Sequence, residues 1–376
     1  MQNIIYFDNA STTPLKKEVL DAMMPYLLDN YGNANSVHSV GRNAVSGLDK
    51  ARETVAKLLN ASFDEIYFTS GGTEGDNLAI RGSYLSKGDK NNLIISSIEH
   101  AAVLNTAKNI EKQGAKLEIV SPNNKGILSV DNYLKCDIKN AFLVSMMLAN
   151  NEVGTIQPVK ELAKICNEMG VLTFTDAVQA IVSMEIDVKD LGVSMLSFSA
   201  HKFGGPKGVG VLYIKNGTKI APIISGGHQE RGKRGGTSNV AGAVGLAKAL
   251  EINRNNLAKD KAYVLSLRER FVDRVLSEIP NTYLNGDREN RLVNNANLLF
   301  DGVNGERLLY QLDLKGVCAS LGAACSSGTI EPSHVLKETG LSDIQAKSSI
   351  RFTFSTNNTV EEVDKVVEIL KEEIRK

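Results

Sequence analysis

A lysine placed directly after an apolar stretch is the residue of this chain best suited to covalent chemistry. Residues 195–199 are predicted to form a strand, and Lys202 follows in Ser199-Ala-His-Lys-Phe-Gly-Gly-Pro-Lys-Gly. Ligands of open α/β sheets bind beyond the carboxyl ends of the strands. A partly desolvated lysine amine can form a Schiff base with an aldehyde there. The alternative is that Lys202 and Lys207 are surface charges in a glycine turn.

An aspartate at a second strand end offers a matching group. Asp176 follows the predicted strand at residues 171–175. A carboxylate in that place could keep the nitrogen of a pyridine ring protonated, which makes such a ring an electron sink. Gln179 would lie on the same face of a following turn and could reach a phenolic oxygen of the ring. An aspartate at a strand end can also simply cap a helix or turn.

A glycine-rich turn at a third strand end is suited to an anion. In Thr69-Ser-Gly-Gly-Thr-Glu-Gly-Asp-Asn, the residues Gly71, Gly72 and Thr73 precede a helical stretch predicted at residues 77–85. Backbone N–H groups at a helix N-terminus, together with a hydroxyl, bind phosphate well. The segment is neither a Walker loop nor a GxGxxG dinucleotide motif, so alone it has low specificity.

Two more strand ends carry polar side chains. His100 could stack on an aromatic ring and move protons near neutral pH, or could be bonded locally at a helix start. Asn151, in Asn150-Asn-Glu-Val-Gly, offers an amide after the predicted strand at residues 141–148. Because carboxyl ends of parallel strands meet at one edge of a sheet, these groups together favour a single phosphorylated pyridine cofactor.

The elements that must position these residues predict an α/β layer. Between about residues 63 and 214, short apolar runs alternate with longer amphipathic ones. This alternation is typical of a mostly parallel sheet that is covered by helices on both faces. The strands are predicted at residues 65–69, 93–97, 117–120, 141–148, 171–175, 195–199 and 208–214, and helices at 101–113 and 159–169.

The pattern changes after Ser238. A long helical region extends to about residue 277, strands are predicted at residues 298–300 and 348–353, and a final amphipathic helix closes the chain. A chain of 376 residues is long for one hydrophobic core. We therefore predict a large α/β domain over residues 15–255, and a smaller α+β domain formed by residues 1–14 and 256–376.

Composition and charge exclude several classes of partner. Lys+Arg and Asp+Glu both number 43, which gives no global attraction to nucleic acid or to an anionic membrane. We find no secretory signal and no apolar run near the roughly 20 residues of a membrane span. The four cysteines form no CxxC pair, so reduced thiols in a cytoplasmic enzyme are expected.

Nearly the whole chain resembles the aminotransferase class V group, and within it the NifS/IscS-type cysteine desulfurases. The segments that carry the resemblance occur in the family's order. They are Tyr6-Phe-Asp-Asn-Ala-Ser-Thr-Thr, Asn33-Ala-Asn-Ser-Val-His, Phe68-Thr-Ser-Gly-Gly-Thr-Glu, Glu99-His-Ala-Ala-Val, Asn150-Asn-Glu-Val-Gly-Thr-Ile-Gln-Pro, Asp176-Ala-Val-Gln-Ala, Ser199-Ala-His-Lys, Gly226-Gly-His-Gln-Glu-Arg, Ala324-Cys-Ser-Ser-Gly and Glu331-Pro-Ser-His-Val-Leu.

The resemblance implies a fold-type-I transferase that depends on pyridoxal 5'-phosphate. Lys202 would be bonded to the cofactor, and His100 would stack on its ring. Asp176 would pair with the ring nitrogen, while Asn151 and Gln179 would lie at the phenolic oxygen.

The resemblance also implies how the phosphate is held and how subunits associate. Gly72, Thr73, Ser199 and His201 would hold the phosphate within one subunit. A threonine that matches Thr237 reaches the phosphate of the neighbouring subunit in the family. A homodimer with shared active sites is therefore expected.

Substrate contacts follow from the same resemblance. Arg351, in Ser349-Ile-Arg-Phe, matches the arginine that clamps the substrate carboxylate, a task suited to a bidentate guanidinium. Asn35 would be a second substrate-binding residue.

Cys325 is the expected sulfur acceptor. It lies in Ser320-Leu-Gly-Ala-Ala-Cys-Ser-Ser-Gly-Thr, whose small residues favour a mobile loop. The attacking species must be the thiolate, so a thiol with an ordinary pKa of about 8.5 needs a nearby base or cation. The alternative is a buried structural cysteine.

The implied activity is conversion of L-cysteine to L-alanine, with a persulfide formed on Cys325 and His100 as acid or base for the thiol proton. The sulfur would pass to an acceptor protein, such as an iron–sulfur scaffold or a tRNA-thiolation enzyme. A selenocysteine lyase or another class V lyase would not need Cys325, and a sulfur carrier without turnover would not need Lys202. Ala323, Ser238 and Gly75 depart from the residues common in the family.

Overall fold

The computed structural model describes residues 4–321 and 331–375, and Cys325 and Ala323 lie outside these ranges. The strands are β1 (Ile5–Tyr6), β2 (Ile66–Thr69), β3 (Asn92–Ser96), β4 (Lys116–Val120), β5 (Ala141–Ser145), β6 (Thr173–Asp176), β7 (Met195–Ser199), β8 (Gly210–Ile214), β9 (Thr282–Leu284), β10 (Asn295–Phe300), β11 (Val317–Cys318), β12 (Ser320–Leu321) and β13 (Ser349–Thr353).

The helices of the same part of the chain include several single turns. They are α1 (Lys17–Leu28), α2 (Ser39–Leu58), α3 (Gly72–Leu85), α4 (Ala101–Glu111), α5 (Val130–Leu134), α6 (Val159–Glu168), α7 (Ala180–Ser183), α8 (Val188–Leu191), α9 (Val240–Glu278), α10 (Gly305–Leu314), α11 (His334–Glu338), α12 (Asp343–Lys347) and α13 (Val360–Ile374).

The larger sheet has seven strands in the order β2-β8-β7-β6-β5-β3-β4. β8 runs antiparallel to β2 and β7, whereas the remaining neighbours pair in parallel. The predicted α/β class with a mostly parallel sheet is confirmed. Because β5, β6 and β7 are parallel neighbours, the residues that follow each of them meet at one edge.

Both faces of this sheet are covered, as its apolar strands predict. Successive side chains of a strand point to opposite faces. In β3, Leu93 and Ile95 pack in a cluster with α3 and α4, while Ile94 belongs to the cluster that contains α2 and α6. A strand apolar on both sides therefore forms the centre of a three-layer domain.

Helix α3 begins at Gly72 and not at residue 77, where the apolar pattern placed its start. Gly71 precedes it with φ +156° and ψ −178°, a conformation that is essentially restricted to glycine. The side chain of Glu74 accepts a hydrogen bond from the Ser70 N–H at 2.9 Å. This contact fixes the chain just before the helix, while the helix end itself has no side-chain cap. The low helix propensity of glycine is why the apolar pattern placed the start too late.

The second sheet has the order β12-β13-β10-β9, and its neighbouring strands are antiparallel. It packs on α9, α10 and α13 around a cluster that includes Phe7, Phe271, Phe352 and Phe354. The ring centroids of Phe7 and Phe354 are 4.8 Å apart. Phe7 comes from the N-terminal segment, which joins this layer through the pairing of β1 with β11.

Helix α9 has 39 residues and passes through both layers. Leu246 and Leu250 pack in the larger core, while Leu267 and Phe271 pack in the smaller one. The predicted boundary at residue 255 lies within this helix, and the assignment of two domains stays a prediction. Among the described helices, none combines the length and the apolar character that a membrane span requires.

Candidate active site

A cavity of about 660 Å³ lies at the sheet edge where β5, β6 and β7 end. It gathers most of the site residues that the sequence predicted. Those that line it are Gly72, Thr73, His100, Asn151, Asp176, Gln179, Ser199, His201, Lys202 and Arg351. Asn35 and Thr237 are exposed and do not belong to the cavity lining.

Lys202 extends from the short turn after β7 into this cavity. Its Nζ donates hydrogen bonds to the carbonyl oxygens of Ala10 at 2.7 Å and Ser11 at 2.8 Å. Burial, together with the positive charge of Arg351, lowers the pKa of the Lys202 amine to about 8. A usable fraction of the amine is therefore neutral near pH 7, as nucleophilic and base chemistry require.

Asp176, Asp76 and His100 converge at the inner end of the cavity. Their nearest oxygen and nitrogen atoms all lie within 4.8 Å of one another. Burial raises the pKa of Asp176. The positive charges of His100 and Lys202 and a hydrogen bond from the Val178 N–H lower it, but by less. An aspartate buried in this way is stabilised as an anion when a cationic group lies beside it.

Asp76 was not singled out by the sequence analysis. It lies on α3, is buried, and accepts a hydrogen bond from Ser197 Oγ at 2.5 Å. Burial, and then the negative charge of Asp176, raise the pKa of Asp76 well above its usual range. Asp76 is thus the carboxyl of the pair that stays protonated, leaving the negative charge to Asp176. Its place four residues after Gly72 on the buried face of a helix was the available signal.

The first turn of α3 also lines the cavity. The helix has 14 residues, and its N-terminal N–H groups carry partial positive charge. A Cβ atom added to Gly72 would lie 2.7 Å from Val178 Cγ2. The backbone at Gly72 is therefore closer to the turn after β6 than a residue with a side chain would allow. No side chain caps the helix end, which suits an anionic ligand.

His201 lines the same cavity. Burial and the charges of Lys202 and Lys207 lower the pKa of the His201 imidazole to about 4. The ring is therefore neutral at pH 7, and its Nδ1 is 3.1 Å from Thr12 Oγ1. A neutral imidazole can hold a phosphate oxygen by a hydrogen bond, while Lys207, which also lines the cavity, supplies charge.

The N-terminal segment forms one wall of the cavity. Ala10 O, besides the bond from Lys202, accepts a hydrogen bond from Gln179 Nε2 at 2.9 Å. The Thr13 side chain donates to His201 O at 2.8 Å and accepts from the Gly204 N–H at 2.8 Å. These contacts attach the start of the chain to the turn that carries Lys202, so the lysine is positioned from both sides.

Arg351 reaches the cavity from β13, in the smaller sheet. Its Nη1 donates to Asn151 O at 2.8 Å, and its Nη2 donates to Asp8 Oδ1 at 3.0 Å and to Ser11 Oγ at 2.9 Å. Its buried Nε has no hydrogen-bond partner among the described residues. The guanidinium is therefore held in place and keeps a donor for a further acceptor.

Residues 5–366 match the protein family described as Aminotransferase class-V. A cysteine desulfurase IscS of Clostridium botulinum is 46% identical over 378 residues, which covers 98% of this chain and 94% of that relative. A cysteine desulfurase IscS of Methanosarcina thermophila is 44% identical over 373 residues, with 99% and 92% covered. A solved structure of a NifS-like protein superimposes with a TM-score of 0.93 at 37% identity and covers 99% of both chains.

Proposed function

The chain belongs to the aminotransferase class-V family, and on that premise we propose that it is a pyridoxal 5'-phosphate-dependent cysteine desulfurase. It converts L-cysteine to L-alanine and retains the sulfur as a persulfide on Cys325. The observation that carries this function is the meeting of Lys202, Asp176 and Arg351 in one cavity, in a chain similar over its length to cysteine desulfurases.

The residues present fit the cofactor. The α3 N-terminus and the close approach at Gly72 suit a phosphate, and the buried Asp176 suits a protonated ring nitrogen. When bound, pyridoxal 5'-phosphate supplies an electrophilic carbonyl carbon and a ring that accepts electron density. The residues that would hold it are Gly72, Thr73, Asn151, Asp176, Gln179, Ser199, His201 and Lys202, with His100 at the ring face.

The chain's own groups then have separate tasks. Arg351 binds the substrate carboxylate, exchanging it for its present contact with Asp8. Lys202, with its lowered pKa, removes the Cα proton of the substrate. His100, which has a ring nitrogen within 4.8 Å of an Asp176 carboxylate oxygen, is the imidazole that the resemblance places at the ring face and near the substrate thiol.

Sulfur transfer requires a nucleophile, which we assign to Cys325, outside the described residues. The Cys325 thiolate attacks the sulfur of the bound cysteine, so that an S–S bond forms and the Cβ–S bond breaks. The electron pair of the broken bond stays with the carbon skeleton, which takes up protons and leaves as alanine. Leu321, the last described residue before this segment, ends β12, which pairs with β13 next to Arg351. The segment with Cys325 therefore starts beside the substrate site.

A homodimer follows from the same proposal. Thr237 and Asn35 are exposed and lie outside the cavity of their own chain, so a second copy would bring them to the site. Near Asn35, the surface exposes Leu28, Tyr31 and Val37, the last at 90%. An apolar surface of this kind is typical of a subunit interface.

The acceptor protein completes the cycle. We propose an iron–sulfur scaffold or a tRNA-thiolation enzyme as the recipient of the persulfide sulfur, in the reducing cytoplasm. Cys136, Cys166 and Cys318 are free thiols, and a reducing compartment keeps them so.

The test compares the wild type with Cys325→Ser, loaded with cofactor, in assays of alanine and of protein-bound persulfide. The variant is expected to keep the visible absorbance of the cofactor and to lose both products. Cys325→Ala serves as a second variant without a hydroxyl. Full alanine release by either variant would contradict the assignment of Cys325 and favour a lyase, which the comparison of cysteine with selenocysteine would then identify.

A further inference from the structure

Two imidazoles besides His201 line the cavity, His100 and His334. They come from distant parts of the chain, since His100 precedes α4 and His334 opens α11. The role that each ring can play depends on which of its nitrogens is already occupied.

His100 has its lone pair engaged. It is the N-cap residue of α4, and its Nδ1 accepts a hydrogen bond from the Ala102 N–H at 3.1 Å. In the neutral ring the proton then resides on Nε2. His100 can donate a hydrogen bond into the cavity, but it can accept a proton only by breaking the cap.

His334 has the opposite nitrogen engaged. Its Nε2 lies 3.1 Å from the backbone carbonyl oxygen of Glu99. A carbonyl only accepts hydrogen bonds, so Nε2 carries the proton and Nδ1 carries the lone pair. Within residues 4–321 and 331–375, no hydrogen bond engages this Nδ1. His334 is thus the imidazole of the pair that is free to accept a proton.

The segments on both sides of the hydrogen bond between His334 Nε2 and Glu99 O are held by further contacts. The preceding residue, Ser333, caps α11 by accepting from the Leu336 N–H at 3.2 Å, and its hydroxyl donates to the buried Glu152 carboxylate. On the other side, the Glu99 side chain accepts from the Met147 N–H at 2.9 Å and from Ser96 Oγ at 3.0 Å. The orientation of the His334 ring is therefore set by the fold.

We propose that His334, and not His100, accepts the thiol proton in the reaction. This inference rests on the proposed desulfurase function. The S–H bond breaks, an N–H bond forms at Nδ1, and the electron pair stays on sulfur as the thiolate. His100 remains a hydrogen-bond donor. Two thiols take part in the proposed reaction, that of free cysteine and that of Cys325, and both have the same chemistry toward Nδ1.

Other ionisable groups contribute to the field at His334. On α11 itself, Lys337 pairs with Asp343 at 2.9 Å and Glu338 accepts from Ser121 Oγ at 2.8 Å. Across the cavity lining, the ionisable side chains are Glu74, Asp76, His100, Glu152, Asp176, His201, Lys202, Lys207 and Arg351. Behind the contact lies the buried Glu99 carboxyl, whose pKa is raised to about 8 by burial and by the charge of Asp176.

The decisive variant is His334→Gln, whose amide N–H can still donate to Glu99 O but which has no basic nitrogen. With the cofactor-loaded enzyme we expect kcat at pH 7 to fall by about 100-fold, the usual effect of losing a general base. Activity should recover as the pH rises through about 8.5, where a thiol ionises without help. Lys337→Gln, at an exposed residue of the same helix that does not line the cavity, should leave kcat and its pH profile unchanged.

His100→Asn is the matched comparison, because asparagine preserves the N-cap. Its loss of activity should persist at every pH. The inference is overturned if His334→Gln stays within twofold of the wild type at pH 7, or if its loss is equally large at pH 9. Visible absorbance of the bound cofactor and the KM for cysteine show whether the variant is folded and binds normally.

Two further measurements show which thiol gives up its proton and which nitrogen of His334 is unprotonated. Alkylation of Cys325 by iodoacetamide without cysteine should be slower in His334→Gln if the proton comes from Cys325, and unchanged if it comes from free cysteine. ¹⁵N shifts of the imidazoles in the wild type should show an unprotonated Nδ1 at His334, and a proton on that nitrogen would overturn the inference. A wild type that releases no alanine would refute the desulfurase function, whereas the ¹⁵N shifts would still decide the state of His334.

Discussion

Arg351 Nη2 lies 3.0 Å from Asp8 Oδ1, so the guanidinium expected to bind the substrate carboxylate already holds a carboxylate of its own chain. The contact joins the second sheet to the N-terminal segment, 343 residues apart in sequence. An arriving amino acid must compete with this internal acid.

Asp8→Asn should therefore strengthen substrate binding. The amide can still accept from Arg351 but has lost the competing charge. We expect the KM for cysteine to fall by up to about fivefold, which corresponds to about 1 kcal/mol for a partly exposed ion pair. Steady-state kinetics measure it, with Arg351→Lys as a control that should raise KM. A higher KM in Asp8→Asn would mean that Asp8 mainly orients the guanidinium.

The pKa of Lys202 predicts how the apoprotein takes up its cofactor. Only the neutral amine reacts with an aldehyde, and burial lowers the pKa of this lysine to about 8. The rate of reconstitution should rise about tenfold per pH unit below that value and level off above it. Stopped-flow absorbance with added pyridoxal 5'-phosphate measures this rate. A rate still rising steeply at pH 9 would show that the amine keeps its ordinary pKa.

The two buried aspartates should respond differently to the same substitution. Because the pKa of Asp76 is raised furthest, Asp76→Asn replaces a neutral acid with a neutral amide and should change kcat by less than about threefold. Asp176→Asn removes the anion expected beside the ring nitrogen and should lower kcat by about 100-fold or more. Turnover assays of both variants decide the assignment, and a reversed order of effects would exchange the two roles.

The short distance between Gly72 and Val178 predicts that a smaller residue at position 178 can compensate for a larger one at position 72. Gly72→Ala places a methyl group 2.7 Å from Val178 Cγ2, and the strain of about 1–3 kcal/mol should weaken cofactor affinity about tenfold or more. Gly72→Ala combined with Val178→Ala should recover part of that affinity. Equilibrium titration of the apoprotein measures both values. No recovery in the double variant would locate the effect at the N–H groups themselves.

Strand ends made much of this site predictable from sequence. Asp176 ends a buried strand, and Lys202 and His100 each come shortly after one. Parallel strands bring such residues to one edge of a sheet. Local patterning was sufficient because each residue is positioned by the element directly before it. The start of α3 was placed late because the glycines of its first turn have low helix propensity, and the hydrogen bond from Ser70 N–H to Glu74 is not a periodic signal.

The contributions of the N-terminal segment could not be predicted in this way. Ala10 acts through its backbone carbonyl, which leaves no trace in side-chain chemistry. Asp8 contacts Arg351 from the N-terminal segment, whose backbone bridges to Thr353, and His334 is placed by a contact with a residue 235 positions away. Such placements depend on tertiary packing, which neither spacing nor hydrophobic pattern records.

The continuous helix α9 packs in both hydrophobic cores and connects them directly. At about 1.5 Å per residue, its 39 residues form a rod about 58 Å long. Between the two cores the chain is helical and contains no loop that could act as a hinge. Separating the two sheets there would bend α9 and expose Leu250 of the larger core or Val264 of the smaller one. Arg351 from the second sheet and Lys202 from the first therefore line one cavity across two cores that α9 joins without a break.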